Sequence, residues 1–386
     1  MTSCLPHAPA DRSSTCLLPD FLGEVARRAA LRRHEGVRQF VVQHLYPDTL
    51  RLLLASHRYV PISTVIGIGY SGNPEVAAAL RREGIRVELP SRLEMEAVIR
   101  RELGRCLIEA QRDGVQLILH EVGGTAFRIL HDEYAALIDQ VRGAVEITKQ
   151  GVWEARKLSR LLVPQWNCAE TRLKQLEGPF VGEAVVVAID NILRECGFCL
   201  AGREALVLGY GWVGRGICDG LRKRGMTVKV SDSDALQQVA LTLDGFPLCG
   251  PNLSALRLVV GATGVRSIDA EVLQRLPHRS MIASGSSKCV EIDVDWLEAN
   301  SVFREKVHRH LEAFTLHDGR ILYLFHDGYP VNFTGASVQD EIVEFLFAEA
   351  LLLLDLAAKQ TEVAPGMYPL PLEQERLPAT VWLELR

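Results

Sequence analysis

Glycines 209, 211 and 214, in the run EALVLGYGWVGRG, combine a residue type and a spacing that point to one chemistry. The pattern follows an apolar run over 205–208 and opens a helical pattern over 213–224, so it reads as a strand-to-helix turn. In such a turn Gly209 makes the tight bend, Gly211 lets a pyrophosphate approach the backbone, and Gly214 lets the helix pack on the strand. Trp212 and Val213 complete the loop, and the helix N-terminus offers N–H groups and a positive dipole to phosphate. The next strand, TVKV, leads to Asp232. A carboxylate there accepts hydrogen bonds from a ribose diol and repels a 2′-phosphate, which argues for NAD over NADP. The competing reading is a glycine-rich turn with no ligand. In VVGATGVRSID, Thr263 and Gly264 fall at the end of the fourth strand of such a sheet and are a second expected cofactor contact, against a plain turn.

Other constellations are weaker. Cys196-Gly-Phe-Cys199 lacks the second pair that a zinc site needs, so packing cysteines and no metal are expected. His308, His310 and the pair His326-Asp327 sit in turn-like polar stretches. Short basic runs such as Arg27-Arg28, Arg32-Arg33 and 222–224 read as solvated helix faces.

The elements that must hold these residues alternate. After DFLGEVARRAALRRHEGV, which has helical spacing, strand-like runs (VRQFVVQHL, VPISTVIGIGYSG, IRVELP, VQLILHEVGG) alternate with helical ones (PDTLRLLLASHR, NPEVAAALRREG, SRLEMEAVIRRELGRCLIEAQRDG) as far as about Gly178. A second alternation begins at Gly182 with the long helix EAVVVAIDNILRECGF. It reaches LHDGRILYLFHDGYPVNF, a hairpin with DGR and HDG as turn signals. A long apolar helix over 337–359 and a Pro-rich tail follow. The expected fold is α/β, with a Rossmann-type NAD-binding domain over 181–335 and a second, Rossmann-like α/β substrate domain over 20–180. An irregular N-terminus over 1–19 precedes them, residues 336–386 complete the substrate domain, and the active site is expected in the cleft between the two.

Length and composition agree with two domains: 386 residues, 48% apolar and 24% charged. A net charge of −5 leaves no electrostatic footprint for nucleic acid or anionic lipid, so a small molecule is the expected partner, with self-association into a homodimer or larger homo-oligomer. Nine cysteines, an odd number on a long chain, point to a reducing cytoplasm, and the N-terminus lacks the apolar core of a signal peptide. The greasiest run, FLFAEALLLLDLAA, contains Glu349 and Asp355 and is shorter than the ~20 residues of a membrane span, so it reads as a buried helix.

The segment GREALVLGYGWVGRGICDGLRKRGMTVKVSDSD resembles the cofactor-binding strand–loop–helix–strand of the S-adenosyl-L-homocysteine hydrolase family. VEIDVDWL, LHDGRILYLFHDGYPVNF and GMYPLPLE are similar to further family segments in order and spacing, and HLYPDT, PEVAAALRREGI, LILHEVGG and ITKQG follow the family's first domain more loosely. The resemblance implies a reaction in which NAD takes a hydride from a ribose 3′-hydroxyl. The ketone acidifies the neighbouring C–H, a thiol is eliminated, water adds and the hydride returns. Such a site needs acid/base groups within hydrogen-bond reach of the oxidised carbon and its neighbour.

The resemblance also assigns residues. His44 and Asp48 in QHLYPDT sit at the family's histidine and acidic positions, and Thr49 at a substrate-contacting threonine. Glu121 stands where the family has an aspartate that moves protons, and Thr148 and Asn332 stand at positions contacting the cofactor's ribose and nicotinamide. The family's lysine falls near Arg172, with Lys174 two residues on. An arginine can act there only as an electrostatic clamp, whereas Lys174 can shuttle a proton. The family's partner aspartate falls at Leu176 or Glu177, its histidine before VEIDV at Ser287, and its adenine-side histidine is replaced in TGASVQDE, where Gln339 stands. The chain ends where the family's cofactor-sealing tail begins. The expected function is an adenosylhomocysteinase-like enzyme that uses NAD to oxidise a secondary hydroxyl of a nucleoside-like or other small polar substrate, coupled to elimination or hydrolysis. A simple NAD-dependent dehydrogenase and an inactive NAD-binding regulator remain the alternatives.

Overall fold

The computed structural model describes residues 18–286 and 288–386. Cys4, Cys16, Ser287 and residues 1–17 of the expected irregular N-terminus therefore lie outside the described residues. The chain forms two compact units, Met1–Lys174 with Asp340–Arg386, and Gln175–Gln339.

The first unit opens with α1 (Phe21–Arg28), whose N-terminus is capped by Asp20. It continues through β1 (Val37–Gln43), α2 (Pro47–Tyr59), β2 (Ile62–Gly67), α3 (Pro74–Arg82), β3 (Arg86–Glu88) and α4 (Met95–Asp113). Then come β4 (Gln116–Glu121), α5 (Thr125–Glu133), β5 (Val141–Glu146), α6 (Lys149–Lys157) and β6 (Gln165–Asn167). Helix α7 (Arg172–Glu195) starts here and runs on into the second unit. That unit contains β7 (Glu204–Leu208), α8 (Trp212–Lys223), β8 (Thr227–Ser231), α9 (Ala235–Leu243), β9 (Leu256–Gly261) and α10 (Ala270–Arg275). It closes with β10 (Ser280–Ser284), α11 (Val294–Ala299), β11 (Ser301–His308), β12 (Leu311–Leu316) and β13 (Ile321–Phe325). The chain returns to the first unit as α12 (Asp340–Lys359), β14 (Met367–Pro369) and α13 (Leu372–Leu385).

The first sheet is parallel throughout, in the order β14-β6-β5-β4-β1-β2-β3. Its central strands are apolar on both faces, as covering by helices on both sides requires, and Phe40, Val41, Val42, Ile118 and Leu119 are fully buried. The strand order reverses between β1 and β4, so the crevice for a ligand opens at the carboxyl ends of these two strands. The second sheet has the order β11-β12-β13-β10-β9-β7-β8, with the β11–β12 and β12–β13 pairs antiparallel and the other pairs parallel. Its reversal lies between β7 and β9. This is the two-domain α/β architecture with a Rossmann-type nucleotide fold.

Four elements depart from the sequence expectations. Helix α7 starts well before Gly182, because its glycines serve close packing rather than a break: a Cβ on Gly178 would strike Trp212, and one on Gly182 would strike Val213 O. The Pro-rich tail folds as β14 and α13. Pro369 is tolerated on an edge strand, and Val381 and the ring of Trp382, 5.2 Å from that of Phe345, anchor the helix. The edge strand β11 extends the expected β12–β13 hairpin through a turn before Leu311. Cys196 and Cys199, expected to pack, are both exposed, beside Gly197 in the left-handed region (φ +72°) at the end of α7. No helix among the described residues is long and apolar enough to cross a membrane. The run over 345–358 is the buried part of α12.

Candidate functional site

In the second unit β7 delivers the chain to Gly209, whose φ of +97° only glycine adopts without strain. A Cβ there would lie 2.7 Å from Ala262 O, and one on Gly214 would run into Gly209 O. Gly211 is different. A Cβ on it meets nothing within 4 Å, and it is the N-cap of α8 with no side-chain hydrogen bond of its own. The turn therefore leaves a cradle open above the helix N-terminus, opened by Trp212 and Val213, where a pyrophosphate fits. Half-buried Asp232, just beyond β8, accepts the N–H groups of Tyr210 (2.6 Å) and Asp234 (2.9 Å). Each carboxylate oxygen keeps a further lone pair for a ribose diol. These residues fit NAD.

Thr263 and Gly264 follow β9, across the strand-order reversal from Gly209. Their backbone N–H groups go to Glu291 at 2.6 and 2.5 Å, and the Thr263 hydroxyl donates to the same carboxylate at 2.9 Å. The hydroxyls of Ser267 and Ser286 donate to it as well. Five donors converge on one fully buried carboxylate that fixes the loop beside the nucleotide turn. The methyl group of Thr263 lies 3.0 Å from the Cβ position of Gly209. Asn332 is buried in the 3₁₀ turn Val331–Thr334 and donates to Ser337 Oγ at 3.0 Å. Gln339 is exposed at the end of the unit.

In the first unit His44 follows β1 and sits at the strand-order reversal. Its Nδ1 is 2.6 Å from Ser71 Oγ, and the Ser71 hydroxyl donates to Ile68 O at 3.2 Å. The one serine proton being used there, Nδ1 carries the imidazole proton and Nε2 presents a lone pair. Burial and the charge of Lys174 pull the His44 pKa down to about 3, so the ring is neutral at physiological pH. Tyr70 stands edge-on to it, with ring centroids 5.6 Å apart. Asp48 and Thr49 lie in the first turn of α2. The Thr49 hydroxyl closes the capping box with Tyr46 (2.7 Å from its N–H), and Asp48 Oδ1 accepts the Thr49 N–H at 2.7 Å. Burial raises the Asp48 pKa.

Glu121 ends β4, fully buried, and its two oxygens accept the N–H groups of Ala126 and Phe127 at 2.8 Å each, capping α5. Thr148 caps α6: its hydroxyl accepts from Gly151 N and Gly123 N at 3.2 Å and donates to Glu146 Oε1 at 2.6 Å. Arg172 and Lys174 occupy the first turn of α7. The Lys174 N–H bonds to Thr171 Oγ1 (3.2 Å), and the Leu173 N–H to Glu375 Oε1 (3.0 Å) on α13. The structure thus sets His44 within the field of Lys174. It commits the hydroxyls of Thr49 and Thr148 to caps, and it leaves Arg172 exposed.

Ser71, Glu146, Glu291 and Glu375 were not singled out from the sequence. Glu146 and Glu291 are acids within apolar runs, a signal that a buried carboxylate must have partners, whereas Glu375 sits in the polar run 373–376 and carries no such signal.

A family model described as the S-adenosyl-L-homocysteine hydrolase NAD-binding domain matches residues 184–338. The adenosylhomocysteinase of Aeropyrum pernix is 30% identical over 324 residues, covering 81% of this chain and 76% of that protein. The chain belongs to the adenosylhomocysteinase family. It is a divergent member, an enzyme of that NAD-dependent type, and its cofactor is NAD. A relative of different name, the S-inosyl-L-homocysteine hydrolase of Methanopyrus kandleri, is 29% identical over 378 residues, covering 94% of this chain and 87% of that protein. Among solved structures, the dipicolinate synthase protein of Bacillus halodurans aligns with a TM-score of 0.47 and 14% identity, over 83% of this chain and 98% of that one.

Proposed function

We propose that this enzyme cleaves a nucleoside thioether by the adenosylhomocysteinase route: oxidation of the ribose 3′-hydroxyl, elimination of the thiol, addition of water and return of the hydride. Residues 20–180 with 336–386 take the substrate, and residues 181–335 hold the cofactor. NAD, when bound, supplies the hydride acceptor and then the hydride donor.

The observation that carries this reading is His44, neutral and tautomerically fixed by Ser71 at the carboxyl end of β1, with the charge of Lys174 acting on it. Its Nε2 lone pair can take a proton from a hydroxyl, a C–H or a water. Lys174 holds positive charge where an alkoxide or enolate develops, and Arg172, which cannot give up its proton, adds only charge. Glu121, held at the end of β4 by two helix N–H groups, is the anionic partner. Asp48 and Thr49 on α2 line the nucleoside side, with Gln339 as a further substrate contact. Asp232, Thr263, Gly264, Thr148 and Asn332 position the cofactor.

The names of the relatives supply two test substrates. The NAD-loaded enzyme, incubated with S-adenosyl-L-homocysteine and with S-inosyl-L-homocysteine, is expected to release a free thiol from one of them and to show a transient reduced-nicotinamide absorbance. No thiol and no absorbance change with either compound would refute the reading. Reduction that accumulates without thiol release would make the enzyme a simple dehydrogenase.

A further inference from the structure

Glu121 and Glu146 lie directly opposite one another on adjacent parallel strands, β4 and β5. Strands in that relationship are ~4.8 Å apart. Both residues are fully buried. Two carboxylates so close in a dry interior do not both ionise; one keeps a proton. The hydrogen bonds say which. Glu121 receives a backbone N–H on each oxygen, both from the first turn of α5, where the helix dipole favours a negative charge. Glu146 is lopsided. Its Oε1 accepts from Gly123 N (3.2 Å), Ile147 N (3.0 Å), Thr148 N (2.8 Å) and Thr148 Oγ1 (2.6 Å), whereas Oε2 is buried with no hydrogen-bond partner among the described residues. With an N–H on each oxygen of Glu121 and four donors on Glu146 Oε1, Glu146 Oε2 is the one oxygen of the two carboxyls left open for the proton that the pair keeps. Space is reserved for it, because a Cβ on Gly151 would overlap Oε2.

We propose that Glu121 and Glu146 form a carboxyl pair holding a single proton, carried by Glu146, and that this neutral acid is the positioning residue that ties the 121–125 loop to the 146–151 loop and fixes Thr148. The Thr148 hydroxyl spends its one proton on Glu146 and its two lone pairs on Gly123 N and Gly151 N, so it holds the loop backbone in place and has no spare donor for a bound ribose. Burial and the charge of Glu121 push the Glu146 pKa up to about 8. The other titratable or charged side chains on the surrounding elements are His120 on β4, Arg142 on β5, Arg128, His131, Asp132 and Glu133 on α5, Lys149, Glu154, Arg156 and Lys157 on α6, Cys168 beyond β6, and Asp340, Glu341, Glu344, Glu349, Asp355 and Lys359 on α12. None of them contributes to that shift as Glu121 does. Above that pH a second anion forms beside Glu121, and the two loops lose their shared tie. The link from Thr148 to the cofactor rests on the function proposed above; the shared proton does not.

The test uses the full-length NAD-loaded enzyme labelled with ¹³C at the glutamate carboxyl carbon. One carboxyl signal is expected to titrate near pH 8 and to vanish in Glu146→Gln, while NAD affinity, falling several-fold between pH 7 and 9 in the parent, becomes flat in that variant. If Glu146→Gln does not fold, Glu121→Gln decides: the high-pH titration should then drop by more than one pH unit. The proposal is overturned if no glutamate carbon titrates above pH 7, or if the titration survives both substitutions unmoved. A titration that behaves as expected in an enzyme releasing no thiol would defeat the proposed reaction and leave the carboxyl pair standing.

Discussion

Asp232 Oδ2 accepts the backbone N–H of Tyr210 at 2.6 Å, so the acid expected to meet a ribose also holds the middle of the glycine turn to the end of β8. The Tyr210 hydroxyl in turn donates to Asp244 at 2.7 Å, which pins the same turn from the other side. Asp232→Ala therefore removes the proposed ribose contact and loosens the turn at once. Losing a charge-assisted hydrogen bond costs about 1.5–3 kcal/mol, so NAD affinity should fall roughly 10- to 100-fold in a calorimetric titration.

Two glycines of the turn separate binding from stability. Gly211→Ala adds a methyl group to open space at an ordinary φ of −70°, so unfolding free energy should fall by only about 0.5–1 kcal/mol, the cost of alanine at an N-cap, while NAD binding weakens more than tenfold. Gly214→Ala drives a methyl group into Gly209 O and should destabilise by about 1–3 kcal/mol or more, seen as a lowered urea midpoint. Equal effects at both positions would argue against a phosphate cradle.

His44→Gln should lower kcat by roughly 10²–10⁴ with KM little changed, the loss expected of a general base. The same residue makes a prediction for stability. Its folded pKa of about 3 lies below the ordinary value of 6.5, so the unfolded chain takes up the proton first as pH falls. Stability is whole above pH 6.5 and is lost as pH drops toward 3. Buried His120, pulled down to about 4, acts in the same sense. Denaturant titrations from pH 7 to 4 should show a shallower acid slope in His44→Gln than in the parent.

Glu146 reverses that sign. A carboxyl whose pKa is raised to about 8 favours the folded state at low pH, and this contribution fades as pH climbs from 4.5 through 8. Relative to the parent, Glu146→Gln should therefore gain stability steadily between pH 5 and 8. A constant offset would mean that Glu146 is already ionised.

Glu375 on α13 accepts the Leu173 N–H at the start of α7, one residue from Lys174. Glu375→Ala should cost about 0.5–2 kcal/mol as a lost helix cap. It should also reduce kcat more than Glu375→Gln, which keeps an acceptor in place.

The contrast between the Gly209–Gly214 turn and Glu146 shows how far the chain could be read residue by residue. The turn is local: strand, glycines and helix follow one another, and the left-handed φ at Gly209 and close contact at Gly214 demand glycine wherever the turn occurs. The β–α rhythm was legible for the same reason, since apolar period and turn residues act over a few positions. Local reading failed where a residue has two uses. Gly178 and Gly182 look like breakers but permit the close approach of α7 to α8, and a Pro-rich tail became a helix because Val381 and Trp382 have a core to reach.

The sequence by itself determined the α/β class, the nucleotide turn with Asp232 and the resemblance to one enzyme family, all of which depend on neighbours along the chain. Only the tertiary structure decided which acids matter to one another. Glu121 meets Glu146, and Glu291 gathers Thr263, Gly264, Ser267 and Ser286, because parallel strand register and crossover helices bring distant residues to one sheet edge. In that dry setting a carboxyl must find donors or keep its proton.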